Sequence, residues 1–390
     1  MRRHSRKGMA VLALLAILIM SPQLAGTSSL SPSRGSSALG APVNSEKNSS
    51  ASAQASLRSG SAPAAEVDAG AEPFDRPTFA RAKRSGHPGL ALGRRRAARG
   101  GPPPTATSHY LRTAGPRSLE RLGCREGHKM RAAKNVPDAI VVLAFGRPRH
   151  RQGRWGASLF GNGFHSTSVI ERAGHAYARG YARCSGRASQ TRLQVALGTS
   201  NYGRQVTSRH GRAWARMVNH ANEWLHDEGL DSKVSFAGAS DIELGWNGPA
   251  ASKRWVRGYD SAARWPFYNF GDAAGCPPRG RCLGGWTQED VWYVSWGARS
   301  AWPLPQIYTP SGSMALQWYR LSLYSYQRHG MRMTIVGVLS QRAACRQSDD
   351  PCVGIDNSPG RAWSQLHRLL NKDSRTAQEL PWITDLRWHG

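Results

Sequence analysis

Two acidic residues stand two positions apart in the stretch FAGASDIELGWNG, residues 236–248, where Ile242 separates Asp241 from Glu243. The apolar run before them predicts a buried strand, and alternation along a strand puts both acids on one face. Two carboxyls held so close repel each other, and one is pushed toward its protonated form. A protonated glutamate beside an ionised aspartate can donate a proton to a glycosidic oxygen. The alternative is structural: Asp241 caps the next segment or pairs with an arginine, and Glu243 is solvated.

Further polar and aromatic side chains follow other predicted strands. Asp272 ends the fourth predicted strand, residues 265–272, where it shares a face with Tyr268, and it is the best candidate for a second carboxylate, although a cap or turn before a cysteine loop explains it equally well. Aromatic rings offer flat apolar faces that suit sugar rings, whereas most tryptophans pack in cores. The candidate substrate-binding residues are Asn201, Tyr202, Trp246, Tyr268 and Trp296.

Strands and helices alternate along the part of the chain that must position these residues. The first predicted strand is AIVVLAF, residues 139–145, and the clearest amphipathic helix covers residues 207–229. Residues 288–297 and 305–308 are predicted as the fifth and sixth strands. Such alternation implies parallel strands joined by crossover helices. Seven strands and a possible eighth favour an α/β fold, a (β/α)8 TIM-like barrel, over an open doubly wound sheet. The acids would then face the mouth of the barrel.

Motifs for other chemistries do not occur where they would be expected. No glycine-rich nucleotide-binding motif follows the first strand, and no G-x-S-x-G indicates a serine hydrolase. The sequence has no C-x-x-C and no histidines paired at ligand spacing. We therefore expect no cofactor and no metal.

The N-terminal part of the chain predicts export. A cationic opening and a short apolar run give residues 1–26 the layout of a signal peptide, with cleavage near Ala25 or Gly26. An uncleaved anchor is the alternative, although the run is short for a membrane span. Residues 27–117 are rich in Ser, Ala, Gly, Pro and Arg and predict a disordered linker. All 14 tryptophans lie beyond it, which assigns residues 118–390 to a folded, extracellular or cell-wall-associated domain with no transmembrane span after cleavage.

Six cysteines in an exported chain predict three disulfides. Two pairs flank short turn-rich loops, which leaves the remaining two cysteines to join the start of the domain to the end of its first predicted helix. The preferred pairs are therefore Cys276 with Cys282, Cys345 with Cys352, and Cys124 with Cys184. Other connectivities stay open at this point.

The formal net charge of +28 has two interpretations. The basic linker could hold an anionic cell-wall polymer by electrostatic attraction. The alternative is an arginine bias from a GC-rich coding sequence, which leaves a solvated surface. The arginines do not interleave with aromatic residues as in nucleic-acid-binding motifs, so no nucleic acid partner is expected.

The strand-end D-I-E, the buried strands with polar ends and the aromatic residues around them resemble barrel-type glycoside hydrolases over residues 137–386. The chain is most similar in this respect to secreted lysozyme-like muramidases of glycoside hydrolase family 25, and more generally to secreted actinobacterial proteins of this kind. The resemblance implies that Glu243 is the proton donor and Asp241 its neighbour. The family also has an aspartate at the end of the first strand, where this sequence has AFGRP.

Two functions follow from these patterns. The first is a secreted glycoside hydrolase acting on peptidoglycan or another extracellular polysaccharide. In that enzyme Glu243 is the acid, Asp241 tunes it, and Asp272 is the base or electrostatic stabiliser. The second is a non-catalytic barrel that binds anionic wall polymer, which the missing first-strand acid and the basic charge favour.

Overall fold

The computed structural model describes residues 101–133, 138–186, 191–277, 280–348 and 352–390. The predicted signal peptide and residues 27–100 of the predicted linker lie outside these ranges. Within them, no helix is long and apolar enough to cross a membrane.

Eight parallel strands form a nearly closed barrel, which confirms the predicted α/β, TIM-like fold. Neighbours around the barrel follow the chain order of the strands, as expected when each crossover returns to the next position of a parallel sheet. The barrel strands are β1 (Thr105–Leu111), β2 (Asp138–Ala144), β6 (Arg192–Ser200), β7 (Val234–Asp241), β8 (Phe267–Asn269), β9 (Ala301–Pro303), β10 (Gly337–Ser340) and β11 (Trp382–His389).

The barrel closes just beyond β9, where Gln306 pairs with Leu339 in a parallel bridge. The Ile307 amide donates to the Leu339 carbonyl at 2.9 Å, and the Leu339 amide donates to the Pro305 carbonyl at 2.9 Å. We call this contact between residues 305–307 and β10 the seam. The sequence predicts residues 305–308 as a full strand, but the structure has only this bridge there.

Eight α-helices lie in the described ranges, mostly on the outside of the barrel. In α3 the Thr207 hydroxyl accepts from the His210 amide, and the buried Trp214 indole donates to the Leu197 carbonyl at 2.9 Å. The structure thus confirms the amphipathic helix that the sequence predicts here. The helices are α1 (Pro116–Ala132), α2 (Thr167–Ser185), α3 (Ser208–Asp227), α4 (Pro249–Asp260), α5 (Gln288–Trp292), α6 (Ser313–His329), α7 (Arg342–Cys345) and α8 (Pro359–Leu370).

A small antiparallel sheet is inserted between β2 and α2. Its strands are β3 (Arg147–Arg151), β4 (Arg154–Leu159) and β5 (Asn162–Ser166). His210 on α3 holds it, because one ring nitrogen lies 2.8 Å from the Gly156 carbonyl. The Trp255 indole donates to the other nitrogen at 2.9 Å, so the proton of the neutral ring lies on Nε2. Burial lowers the pKa of His210 to about 4, which keeps this ring neutral.

All three preferred disulfides form. Cys124–Cys184 joins α1 to α2, while Cys276–Cys282 and Cys345–Cys352 close short loops. The two joined helices also approach closely, since a Cβ at Gly180 would lie 2.0 Å from the Glu120 carbonyl oxygen. Three disulfides are typical of proteins from oxidising compartments.

Two predicted strands, residues 288–297 and 305–308, are wrong, and the predicted linker extends too far toward the C-terminus. Residues 105–111, assigned to the linker because they are polar, form β1. Their polarity is tolerated inside the barrel because the Ser108 hydroxyl contacts Thr384 at 2.6 Å and accepts from the Val142 amide at 2.7 Å. Residues 288–297, predicted as a strand, are helical because Thr287 and Asp290 form a capping box that starts α5, and a π-helical turn continues it. The count of eight strands therefore combines two missed strands, β1 and β9, with two false ones.

Candidate active site at the barrel mouth

Three carboxyl groups meet where β7 and β8 end. Asp241 is the last residue of β7, Glu243 follows two positions later, and Asp272 lies three residues after β8. Asp241 and Asp272 are buried, with 7% and 6% of their surface exposed, whereas Glu243 is only partly buried. Among these three acids, Glu243 is thus the one that a ligand in the mouth can reach most readily.

The side chain of Asn201 fixes the backbone of Glu243. Its amide nitrogen donates to the Glu243 carbonyl at 2.9 Å, and its amide oxygen accepts from the Glu243 amide at 3.1 Å. The same nitrogen lies 3.2 Å from the Ser252 hydroxyl, and the Asn201 backbone amide donates to the Asp241 carbonyl at 2.9 Å. Because the chain leaves β7 here, this side chain supplies the pairing that a strand neighbour would otherwise provide.

The Glu243 carboxyl contacts two side chains. The Gln306 amide donates to its Oε1 at 2.5 Å, and the carboxyl shares a hydrogen bond with Asp272. Asp272 in turn accepts from the Leu244 amide at 3.1 Å. A hydrogen bond between two carboxyls requires that one of them carry a proton.

Burial and mutual repulsion raise the pKa values of all three acids. Burial is the largest cause for Glu243, followed by the charges of Asp272 and Asp241, and the pKa lies well above its usual value. Burial and the Asp272 charge act in the same way on Asp241. Burial also raises the pKa of Asp272, but the Leu244 amide partly offsets this effect. No ion pair in the described part of the chain includes any of the three.

These contacts place the proton on Glu243 and the negative charge on Asp272. Asp272 accepts hydrogen bonds from the backbone amides of Leu244 and Ala274, which favour its ionised form, whereas the Glu243 carboxyl accepts from the Gln306 side chain. Asp241 stands apart from this pair. Its pKa responds to Asp272 through space, and its Oδ1 is buried without a hydrogen-bond partner among the described atoms.

Neutral hydroxyls face the acids. The Tyr110 hydroxyl lies 3.4 Å from that of Tyr308 and donates to Gln341 at 3.5 Å. Burial raises the pKa of both phenols, and the nearby Asp241 and Glu243 raise them further. Both tyrosines thus remain protonated and can donate hydrogen bonds into the mouth.

Two aromatic clusters border the site. On one side the Tyr202 ring, which is 44% exposed, meets Trp246 edge-on at 5.9 Å, and the Arg147 guanidinium lies 5.7 Å from its centre. On the other side three rings pack together with centroid distances of 4.8–5.3 Å, and the Arg112 guanidinium covers one of them. This second cluster consists of Tyr110, Phe160 and Trp388.

Of the five predicted substrate-binding residues, Tyr202 and Trp246 lie at the mouth and the other three have structural positions. Asn201 is 1% exposed and both atoms of its amide are already used, so it positions Glu243. Tyr268 lies inside the barrel below the acids, where it donates to Gln194 and meets Trp382 edge-on. Trp296 belongs to the π-helical turn before β9 and packs against Trp302, on the side of the barrel where the strands begin.

Sequence reasoning missed four residues of the site. Gln306 and Tyr308 alternate in the segment PQIY, so a shared face was the available signal. Tyr110 lies in the segment assigned to the linker. Gln341 is the last residue of a predicted strand, but nothing local distinguishes it from other strand-end residues.

The three acids are not gathered closely enough to form a common metal site. In the described part of the chain, one group has three ligand atoms within 4.8 Å of one another: Cys124, His128 and Cys184. Its two cysteines form a disulfide and therefore offer no thiolates.

No protein-family model matches the chain, and no curated protein matches it significantly. Any function must therefore be argued from the site itself.

Proposed function

We propose that this protein is a secreted glycoside hydrolase that acts on cell-wall or extracellular polysaccharide, with Glu243 as its general acid. The observation that carries the proposal is the contact between Glu243 and Asp272 at the open end of a parallel barrel. This contact supports a protonated Glu243, which is the most exposed of the three acids. A protonated acid is what the glycosidic oxygen needs when the sugar leaving group departs.

The two aspartates take different roles from those that the sequence suggests. The two working carboxyls of a glycosidase stand about 5–5.5 Å apart in retaining enzymes and about 6.5–9.5 Å apart in inverting ones. A hydrogen bond is shorter than either spacing, so Asp272 tunes Glu243 and is not its catalytic partner. Asp241 is the separate carboxyl, and its unpartnered Oδ1 suits a group that orients water or stabilises positive charge at the anomeric carbon.

The resemblance to glycoside hydrolase family 25 supports the same role for Glu243, but the first strand departs from that family. β1 ends in Tyr110 and Leu111, with no acid. The phenol of Tyr110 occupies this side of the mouth, and its raised pKa makes it a hydrogen-bond donor. A sugar hydroxyl or ring oxygen is the acceptor that it would bind.

The test is the release of reducing ends from purified peptidoglycan and from a panel of acidic and neutral polysaccharides. We expect Glu243→Gln to abolish turnover while the variant stays folded, because an amide keeps the contacts to Gln306 and Asp272 but cannot donate a catalytic proton. Glu228→Gln is the matched control, since this glutamate is exposed at the end of α3. Retained hydrolysis by Glu243→Gln would exclude the assignment.

The two aspartates can be separated by their kinetics. We expect Asp272→Asn to move the alkaline limb of the pH–rate profile to lower pH, because it removes the charge that holds the proton on Glu243. Asp241→Asn is expected to lower kcat across the whole profile. Identical profiles for the two variants would contradict this division of roles.

A non-catalytic barrel that binds anionic polymer is the second candidate. The missing first-strand acid favours it. If it is correct, the wild-type chain releases no reducing ends from any polymer, and Glu243→Gln binds those polymers as tightly as wild type.

Secretion is part of the proposal and rests on the predicted signal peptide and the three disulfides. N-terminal sequencing of the mature chain from culture medium tests it. The expected mature N-terminus lies near Gly26, and a chain retained inside the cell with reduced cysteines would contradict secretion.

A further inference from the structure

Four arginines share one face of the inserted sheet. Along β3, Arg147, Arg149 and Arg151 alternate with Pro148 and His150, and Arg154 of β4 stands directly opposite Arg151. All four side chains are exposed. We call them the arginine ribbon. Because alternate residues of a strand lie about 7 Å apart, the ribbon is a row of positive charges about 13 Å long.

No acidic side chain in the described ranges neutralises this row. Residues 147–166 contain no aspartate or glutamate, and none of the ion pairs in the described part of the chain includes a ribbon arginine. Arg151 and Arg154 form a directly opposed pair of like charges, which destabilises a hairpin. A bound polyanion would relieve that repulsion.

The geometry of the ribbon is fixed. Its two strands are joined by Gln152 and Gly153, which both have positive φ values of 49° and 70°, as in a two-residue hairpin turn. On the opposite face the His150 ring packs against Trp155 with centroids 4.1 Å apart and planes tilted by 35°, and Trp155 meets His210 edge-on at 5.9 Å. Packing on the aromatic face of the sheet therefore keeps the arginine side chains on its solvent-exposed face.

The ribbon leads to the acids. Arg147 lies over Tyr202, whose ring meets Trp246, and the Trp246 amide donates to the Glu243 carbonyl at 3.2 Å. A chain lying along the ribbon thus reaches the exposed Tyr202 ring and then the mouth. This continuity connects a charged surface to the site of the proposed chemistry.

We propose that the arginine ribbon binds an acidic polysaccharide and guides it across Tyr202 and Trp246 toward Glu243. The ligand carries carboxylate or phosphate groups along its chain, which guanidinium groups recognise by paired hydrogen bonds. The second half of this proposal, guidance to Glu243, rests on the proposed hydrolase function. Single-stranded nucleic acid is disfavoured, because its binding sites combine charge with a series of exposed stacking rings, whereas this path has one exposed ring, Tyr202, and Trp155 packs beneath the ribbon.

Binding is tested in the Glu243→Gln background, so that no polymer is cleaved. Fluorescently labelled polygalacturonate supplies carboxylates, poly(glycerol phosphate) supplies phosphates, dextran is the neutral polymer, and single-stranded DNA is the competing class. The ribbon variant carries Arg→Gln at positions 147, 149, 151 and 154. The matched control carries the same change at Arg121, Arg216, Arg254 and Arg368, four exposed arginines on outer helices.

We expect the ribbon variant to bind the acidic polysaccharides at least about tenfold more weakly in 50 mM salt, and the control less than about threefold. The salt slope of log K should fall by about 3 in the ribbon variant, since each neutralised charge of a single-stranded polyanion contributes about 0.7. The relative affinities for polygalacturonate and poly(glycerol phosphate) identify which anion is preferred. Equal losses in both variants would overturn the proposal, and so would tighter binding of DNA than of either acidic polysaccharide.

A kinetic measurement separates this proposal from the hydrolase function. In the otherwise wild-type chain, Arg→Gln at positions 149, 151 and 154, which keeps Arg147 over Tyr202, should raise KM for a long acidic polymer and leave kcat unchanged. If no polymer is hydrolysed but the ribbon still binds polyanions, the hydrolase proposal fails and the binding surface stands. An unchanged KM in an active enzyme would overturn the guidance role.

Discussion

Removing the Asn201 side chain tests whether the position of Glu243 depends on the two hydrogen bonds that Asn201 makes to its backbone. Asn201→Ala leaves the Glu243 amide and carbonyl without their partners, at 3.1 and 2.9 Å in the native chain. A buried polar group that loses its partner costs about 1–3 kcal/mol, so we expect the free energy of unfolding to fall by about 2–4 kcal/mol. In a domain of this size that corresponds to a decrease in Tm of roughly 5–12 °C.

The chain contains a matched control for this change. Asn222 on α3 makes the same pair of hydrogen bonds to the backbone of Phe236, within β7, with distances of 3.0 Å to the carbonyl and 2.8 Å from the amide. It also makes a third bond, to the Val218 carbonyl at 2.9 Å, as Asn201 does to Ser252. Asn222→Ala should therefore lose a similar amount of stability without touching the acids.

The assays are urea unfolding and reducing-end release at a temperature where both variants remain folded. We expect both variants to be destabilised, but only Asn201→Ala to lose kcat, by about tenfold or more, since small displacements of catalytic groups have effects of this size. Equal loss of kcat in the two variants would refute the argument that Asn201 acts on Glu243. Unchanged stability in Asn201→Ala would refute the hydrogen-bond reasoning itself.

Three further predictions concern stability. Glu243→Gln should have a higher free energy of unfolding than wild type at pH 7, as measured by urea unfolding. The gain is about 1.4 kcal/mol for each unit by which the native fold raises the pKa of Glu243. The difference should vanish near pH 4, because a raised carboxyl pKa costs stability only as pH rises above the unfolded value, and a constant difference would contradict this cause. Between pH 6.5 and 4 His210 by itself should contribute a loss of on the order of 3 kcal/mol, because its pKa is lowered to about 4 and only the unfolded state gains the proton; an NMR titration showing His210 protonated at pH 6 would contradict it. Replacing both Cys124 and Cys184 by Ser should cost about 4 kcal/mol for a 60-residue loop, measured by urea unfolding, whereas a loss below about 1 kcal/mol would show that helix packing alone holds α1 to α2.

Local patterns in the sequence were sufficient for the long buried elements. The apolar runs of β6 and β7 and the amphipathic stripe of α3 are strong signals, because these elements are long and are buried on well-defined faces. The period of a strand predicts Asp241 and Glu243 on one face, whereas β7 ends at Asp241 and the Asn201 side chain holds the backbone of Glu243 beyond it. Two of the disulfides close short loops, so their pairing was also a local property.

The rest depended on contacts between distant parts of the chain. β1 is polar because its hydroxyl groups are satisfied by β11 and β2, and no local rule identifies such partners. The three residues of β9 carry too short a pattern to be recognised. The contacts of Glu243 with Gln306 and Asp272 exist only because the barrel closes, and the proposed function therefore gives the two aspartates different roles from those that the sequence suggests.

The seam has a consequence for the acid itself. Gln306 both pairs with Leu339 to close the barrel and donates to Glu243, and that donation is a contact that lowers the acid's pKa. Local separation of this residue from β10 would withdraw the donor and make Glu243 hold its proton more tightly. By thermodynamic reciprocity, protonation of Glu243 must in turn ease the separation. Breathing of the barrel wall and the charge state of its acid are thus one coupled equilibrium.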